Sequence, residues 1–234
     1  VRYVPLAPRH RRVYDTHLQR ERSRVLGLLE DFESNRIAIF RSLTTLRRLA
    51  LDAGLVDDAY HEVPSSKLEA LVEQLEEVVA EGHRALVFSQ FTGYLALVAE
   101  RCRRNGIGFE YLDGKTTRRT AVINRFKDGD APLFLISLKA GGFGLNLTEA
   151  DHVFLLDPWW NPAVERQAID RTHRIGQTRK VIVNRLVSAN TIEEKVMALA
   201  ERKGRLFDAV LGDEEQAFSQ GLAADDIRAL LADA

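Results

Sequence analysis

The chain has a single cysteine in 234 residues, Cys102, so no internal disulfide can staple it, and no cysteine and histidine spacing along it is of the kind that binds zinc. No apolar run approaches membrane-spanning length. The first residues, VRYVPLAPRHRR, are broken by two prolines and several arginines where a secretory signal would carry an unbroken apolar segment, so a cytoplasmic setting is expected. Neither sign of charge dominates: 33 Lys and Arg stand against 34 Asp and Glu, a net charge of −1. A free-standing nucleic-acid binder usually carries a basic excess. Any contact with nucleic acid must therefore run through a local patch, with weak and salt-sensitive affinity. There is also no GxxxxGK[ST] loop, so these residues lack the lysine and hydroxyl that hold a nucleoside triphosphate and its magnesium. What is left is ordinary: 45% hydrophobic and 29% charged residues, enough chain for one large α/β domain with helical additions or for two small ones.

From the N-terminus, Val1 to Pro8 reads as an extended linker, because Pro5 and Pro8 hold the backbone out of helix. Arg9 to about Phe32 and Arg36 to about Leu51 read as a helical hairpin, the second helix carrying Ile37, Phe40, Leu43, Leu46 and Leu49 at three- and four-residue intervals. Ser66 with Glu69 fits a capping box, opening a helix whose Leu68, Leu71, Val72, Leu75, Val78 and Val79 form a broad apolar stripe closed by Gly82. Short apolar runs then alternate with helical segments. Strands are expected at 85–88, 109–112, 133–137, 153–156 and 181–187, and helices at 93–104, 118–126 and 162–175. That alternation predicts an α/β fold with a mostly parallel sheet covered by helices on both sides. Thr191 with Glu194 fits a second capping box, and 212–221 reads as an acidic loop before a short terminal helix at 225–231. The expected organisation is a linker and helical protrusion over 1–65, an α/β lobe over 66–190 and a C-terminal helical extension over 191–234.

The densest stretch is Ser137 to Gln177. Within it, Asn161 is a good N-cap residue and Pro162 suits the first helical position, while Gly176 supplies a stop. On the helix between them Gln167, Arg171 and Arg174 share one face. Paired guanidinium groups suit phosphate oxygens; the alternative is a solvated face with an Asp170–Arg174 pair. Gly141, Gly142 and Gly144 invite a dinucleotide-binding reading, which fails because Leu147 occupies the third position of that pattern and a strand follows instead of a helix. The glycine loop can still bring backbone N–H groups close to phosphate. One of Trp159 and Trp160 is expected in the core. His173 reads as a hydrogen-bonded helix residue, Asp113-Gly114 as a turn, and Cys102 as helix packing.

The string GGFGLNLTEADHVFLLDPWWNP followed by QAIDRTHRIGQ closely resembles motifs V and VI of the Swi/Snf-type branch of superfamily 2 helicase-like ATPases. RALVFSQFT and YLDGKTTRRTAVINRFKDGD resemble that family's motif IV and the segment after it, in the expected order. The resemblance implies the second of two RecA-like lobes, with the first lobe lying outside these residues. It implies catalytic roles for Arg171, Arg174 and Gln167, nucleotide contacts from Gly142, Gly144, Asn146 and Gln177, and DNA contacts from Ser89, Gln90, Lys115, Ser137, Lys139, Gly141 and Trp160. Lys139 stands where many members have arginine, which keeps the charge but loses the two-pronged fork. ATP and Mg²⁺ are implied as ligands held mainly by the missing lobe, so these residues alone are expected to be inactive. Double-stranded DNA and the first lobe are the implied partners, without a membrane, at a bacterial nucleoid or in a nucleus. Strand separation does not follow, since the resembled family mostly translocates on duplex. The rival expectation is a RecA-like lobe that has lost catalysis and serves as an interaction module.

Overall fold

Apolar runs of four or five residues are too short for core helices and, when flanked by turn residues, satisfy their backbone only in a ladder. In the computed structural model, which describes residues 1–141, 146–160, 162–170, 179–207 and 222–232, they do so in one six-stranded sheet. The strands are β1 (Arg2–Pro5), β2 (Ala85–Ser89), β3 (Phe109–Leu112), β4 (Leu133–Ser137), β5 (His152–Leu155) and β6 (Ile182–Ala189), in the order β1-β6-β5-β2-β4-β3. The pairings β6-β5, β5-β2, β2-β4 and β4-β3 are all parallel. Residues 1–8 are thus not a linker throughout, because Arg2–Pro5 forms an edge strand, a position where proline is tolerated.

The helices are α1 (Pro8–Leu28), α2 (Phe32–Leu51), α3 (Ser66–Ala80), α4 (Thr92–Arg104), α5 (Arg119–Asp128), α6 (Leu138–Gly141), α7 (Pro162–Ile169), α8 (Ile192–Phe207) and α9 (Ala224–Leu231). Among the described residues none is long and apolar enough to cross a membrane. The chain divides into two compact units. One holds Val1–Arg2, Leu68–Asp157 and Glu165–Val187, the other Tyr3–Lys67, Pro158–Val164 and Ser188–Ala234. The N- and C-terminal helical segments therefore belong to one body.

In the sheet unit every residue of β2, β4 and β5 is buried, as expected for strands covered on both faces. Leu71, Leu75, Tyr94, Leu95, Val98, Val122 and Phe126 from α3, α4 and α5 are buried with them, and the Phe126 and Phe134 rings stack at 4.9 Å. Cys102 is buried on α4, and burial raises its thiol to about 11, which leaves it unreactive. α4 ends as expected at Asn105 and Gly106: the glycine takes φ +68° and the amide of Ile107 returns to the Cys102 carbonyl.

In the helical unit the buried face of α1 is His10, Tyr14, His17, Glu21 and Val25, a regular three-and-four spacing. Polar members of that face hide it from an apolar periodicity count. His10 Nε2 lies 2.6 Å from the Leu49 carbonyl, the Tyr14 hydroxyl accepts from the Ile192 amide at 2.7 Å, and the Glu21 carboxylate lies 3.8 Å from Arg20 and 3.9 Å from Arg24. On α2 the expected Leu43, Leu46 and Leu49 are buried and Phe40 packs against them, but Ile37 is 77% exposed and Ile39 is buried in its place. α3 begins at Ser66 itself, so Ser66 is inside the helix, and the preceding Ser65 donates its hydroxyl to the Leu51 carbonyl at 2.8 Å. At α8 the second box is half realised: Thr191 Oγ1 accepts from the Glu193 amide, while Glu194 reaches back to the Asn190 amide. The acidic loop expected at 212–221 lies outside the described residues.

The most demanding feature of this unit is an ion pair, Lys67 Nζ to Glu193 Oε2 at 2.6 Å, with both side chains 1% exposed. The same oxygen accepts from the Ser188 amide at 2.7 Å. Removing one partner strands a buried charge, while removing both does not. Lys67→Met is expected to destabilise by about 3–5 kcal/mol in urea denaturation, and Lys67→Met/Glu193→Gln to recover most of that loss, since the amide oxygen can still accept from Ser188.

Candidate functional site

Ligands of parallel sheets sit beyond the carboxyl ends of the strands. Here Ser89 and Ser137, the last residues of β2 and β4, are register partners at that edge. Asp157 follows β5 beside them. The Ser89 hydroxyl donates to the Asp157 carboxylate and accepts from the Phe91 amide, and the Gln90 amide donates to the same carboxylate at 3.2 Å. Asp157 thereby fixes the β2–α4 turn and leaves Gln90 part-exposed at its tip.

At the end of β3, Asp113 makes the expected turn: its carboxylate accepts from the Lys115 amide at 2.9 Å and its own amide donates to Thr116 Oγ1 at 3.0 Å. Lys115 is exposed at the apex. β4 runs directly into α6, where Ser137 Oγ accepts from the Ala140 amide at 3.4 Å and Arg119 donates to the Ala140 carbonyl. Lys139 and Gly141 lie on α6, and Asn146 is exposed after it. Ser89 and Ser137 are themselves buried; their hydroxyls hold turns.

β5 leads through Pro158, Trp159 and Trp160 to α7. Trp159 is buried; Trp160 is part-buried against the core of the helical unit. Gln167 lies on α7 as expected, and the Arg185 guanidinium of β6 donates to Glu165 on the same helix. The helix is described to Ile169, short of the expected Ile175. Gly142, Gly144, Asn161, Arg171, His173, Arg174, Gly176 and Gln177 lie outside the described residues. The edge therefore brings together Ser89, Gln90, Lys115, Ser137, Lys139, Gly141 and Asn146 from three strand ends. Sequence reasoning missed Asp157, Arg119 and Arg185. For Asp157 a signal existed, an acid directly after an all-apolar strand and before proline, whereas Arg119 and Arg185 have none.

The helicase conserved C-terminal domain family matches residues 66–176. Those residues form a domain of that family. Similar curated proteins include DNA repair protein RAD5A of Arabidopsis thaliana, 44% identical over 68% of this chain and 16% of the relative. ATP-dependent helicase rhp16 of Schizosaccharomyces pombe is 41% identical over 86% of this chain and 23% of its own length. The chain thus spans less than a quarter of either. Among solved structures, the C-terminal domain of the Sulfolobus solfataricus SWI2/SNF2 ATPase superposes with TM-score 0.71 at 25% identity, covering 98% of this chain and 95% of that one. The core of that ATPase in complex with dsDNA gives 0.74 at 26%, covering 97% and 48%. The fold is the RecA-like C-terminal lobe of Swi2/Snf2 ATPases.

At the opposite end of the helicase lobe's sheet, before β5, sits a second acid. The carboxylate of Asp151 lies 2.7 Å from His83 Nδ1, 3.0 Å from His152 Nδ1 and 3.1 Å from Arg179 Nη1. Among the described residues this is the one grouping with metal-ligand side chains in reach of one another, and sequence spacing did not reveal it. The guanidinium on its carboxylate makes it a hydrogen-bonded clamp for the strand starts. Burial pushes the Asp151 carboxyl up, but the bonds from His152, His83 and Arg179 outweigh that and hold it at about 2, below its ordinary 3.8. A depressed carboxyl gives stability that is complete above the unfolded value and lost as pH falls through the folded one. The lobe is expected to lose stability between about pH 4 and pH 2. Asp151→Asn, weaker by roughly 1–3 kcal/mol at neutral pH, is expected to show a flatter profile across that window in denaturation measured against pH.

Proposed function

We propose that this lobe is one half of an ATP-driven motor on duplex DNA. It closes against a first RecA-like lobe that carries the phosphate loop and the magnesium-holding acids, and its own part is to present Arg171 and Arg174, with Gln167, to the γ-phosphate. Gly142, Gly144, Asn146 and Gln177 line the nucleotide side, and Gln90, Lys115, Lys139, Gly141 and Trp160 the DNA backbone side. Ser89 and Ser137 serve the same surface by fixing the turns that carry it. The observation that carries the reading is the convergence of three strand ends at one edge in a chain matched by the helicase C-terminal family. A solved relative that binds dsDNA supports the choice of duplex.

The residues present fit a shared nucleotide site. Asp113 and Asp157, the acids in the edge turns, direct their carboxylates to local donors, which lowers their repulsion of phosphate and keeps them from serving as a magnesium set. In this reading the ion is held by the other lobe, and this lobe alone does not turn over ATP. Bound ATP supplies the bond whose cleavage drives the motor. The residues here orient it, offset charge and exclude water as the lobes meet.

Two outcomes test this reading. In the full-length protein, Arg174→Ala is expected to lower DNA-stimulated turnover about a hundredfold or more at saturating ATP and DNA, with an unchanged melting temperature; Arg174→Lys is expected to restore little. Normal turnover in Arg174→Ala would leave the interaction-module reading standing. For DNA, fluorescence anisotropy of this lobe on duplexes of different sequence is expected to show weak binding, indifferent to sequence and lost as salt rises. Lys115→Ala should reduce the slope of log affinity against log salt by about one.

A further inference from the structure

The net charge of −1 hides an uneven distribution. The hairpin of α1 and α2, Pro8–Leu51, holds ten arginines against five acids, a net charge of +5, and no acid follows Glu33 on α2. Half of those arginines are occupied within the fold. Arg47 is 4% exposed and turns inward, its Nη2 donating to the Pro158 carbonyl at 2.7 Å. Arg11 donates to the Ala189 and Asn190 carbonyls and lies 3.5 Å from Asp15. Arg20 and Arg24 lie 3.8 and 3.9 Å from Glu21, and Arg36 pairs with Glu33 at 2.7 Å.

Arg9, Arg12, Arg41 and Arg48 differ. All four are exposed, and none makes an ion pair among the described residues. The acids nearest along the chain are engaged elsewhere, Asp15 with Arg11 and Asp52 with the Gly54 amide at 2.8 Å. Solvated helix faces elsewhere in the protein carry acids three or four residues from their arginines, as at Arg104–Glu100 and Arg228–Asp225. Helical spacing collects the four unpaired cations. α2 buries Ile39, Leu43, Leu46 and Ala50, so its opposite side is Ser34, Ile37, Arg41, Thr44 and Arg48, at intervals of three and four. α1 buries His10, Tyr14 and His17 and leaves Arg9 and Arg12 outward. His10, at the start of α1, reaches the Leu49 carbonyl near the end of α2, so Arg9, Arg12 and Arg48 come to the same end of the hairpin. Arg41 stands two turns from Arg48, about 10 Å along the helix.

Permanently charged forks with no acid among them complement a polyanion. Duplex DNA presents a charge about every 1.7 Å of its axis and releases counterions when cations meet it. We propose that the outer face of the α1–α2 hairpin is a second contact for the duplex-DNA backbone, made by Arg41 and Arg48 with Arg9 and Arg12, in addition to the sheet edge. The choice of partner rests on the function proposed above.

The test uses the full-length protein and fluorescence anisotropy on duplex DNA across a salt series, with Arg41→Gln/Arg48→Gln and Arg41→Glu/Arg48→Glu. The side chains are exposed, so the melting temperature should hold. The glutamine pair is expected to flatten the slope of log affinity against log salt by about two and to weaken binding about tenfold or more at low salt; the glutamate pair should weaken it further. Arg228→Gln, which removes an exposed arginine already paired with Asp225, should leave the slope unchanged. The inference is overturned by wild-type affinity and slope in both double variants, by a comparable loss in Arg228→Gln, or by a loss that follows melting temperature. Absence of duplex binding by the wild type would remove it together with the reading beneath it, whereas normal binding by the double variants removes it alone.

Discussion

A parallel ladder buried on both faces leaves no room for polar side chains along its strands. β2, β4 and β5 obey this throughout their middles and expel their chemistry to the two ends. Everything that distinguishes one end from the other follows from what β5 carries at its termini. Asp151 precedes it and Asp157 closes it, and each draws donors from the neighbouring β2 segment: His83 before that strand, Ser89 and the Gln90 amide at its end. The two acids act as rivets at opposite ends of one strand pair. At the amino end the donors are charged or chargeable side chains, which saturate the site. At the carboxyl end they are a hydroxyl and an amide, which leave the turn tip facing outward.

On the function proposed above, the same division lets a chain with a net charge of −1 meet phosphate at this edge. The edge does not need a large positive field if the anions within it are already internally satisfied and the backbone is held open. Asp113 and Asp157 meet the first condition, and the Arg119 contact to the Ala140 carbonyl helps with the second by fixing the chain just before the glycine loop. Lys115 then adds a local charge at an apex, where it is least screened by its own protein.

Much of this was legible in the sequence because it depends on local pattern. The apolar runs marked β2 to β6 to within two residues, and the glycines at 82 and 106 marked helix ends through their positive φ. The edge positions followed from strand ends. What was not legible depends on partners distant in the chain. β1 reads as linker in the sequence because its pairing is with the last strand of the sheet. The buried face of α1 is polar and aromatic, so periodicity in apolar residues passed over it. Ile37 and Ile39 look alike as helix formers, and only packing against the rest of the unit decides which is covered. Arg47, Arg119 and Arg185 read as surface charges because an arginine's reach conceals its target.

The order in which the chain visits its two compact bodies bears on how such a protein can be made and altered. Neither body is a continuous stretch, and the segment recognised as the helicase domain, 66–176, stops before β6, the strand that pairs with β5. A polypeptide cut to those limits would expose one side of β5 as a raw, aggregation-prone edge and would part Lys67 from Glu193. The sheet closes only after the chain has passed through α7, so during synthesis the strands that carry the carboxyl-end surface emerge before β6, the last strand to pair with them. Long-range closure of this sort slows folding. The segment matched by the family, 66–176, is accordingly shorter than the unit that folds.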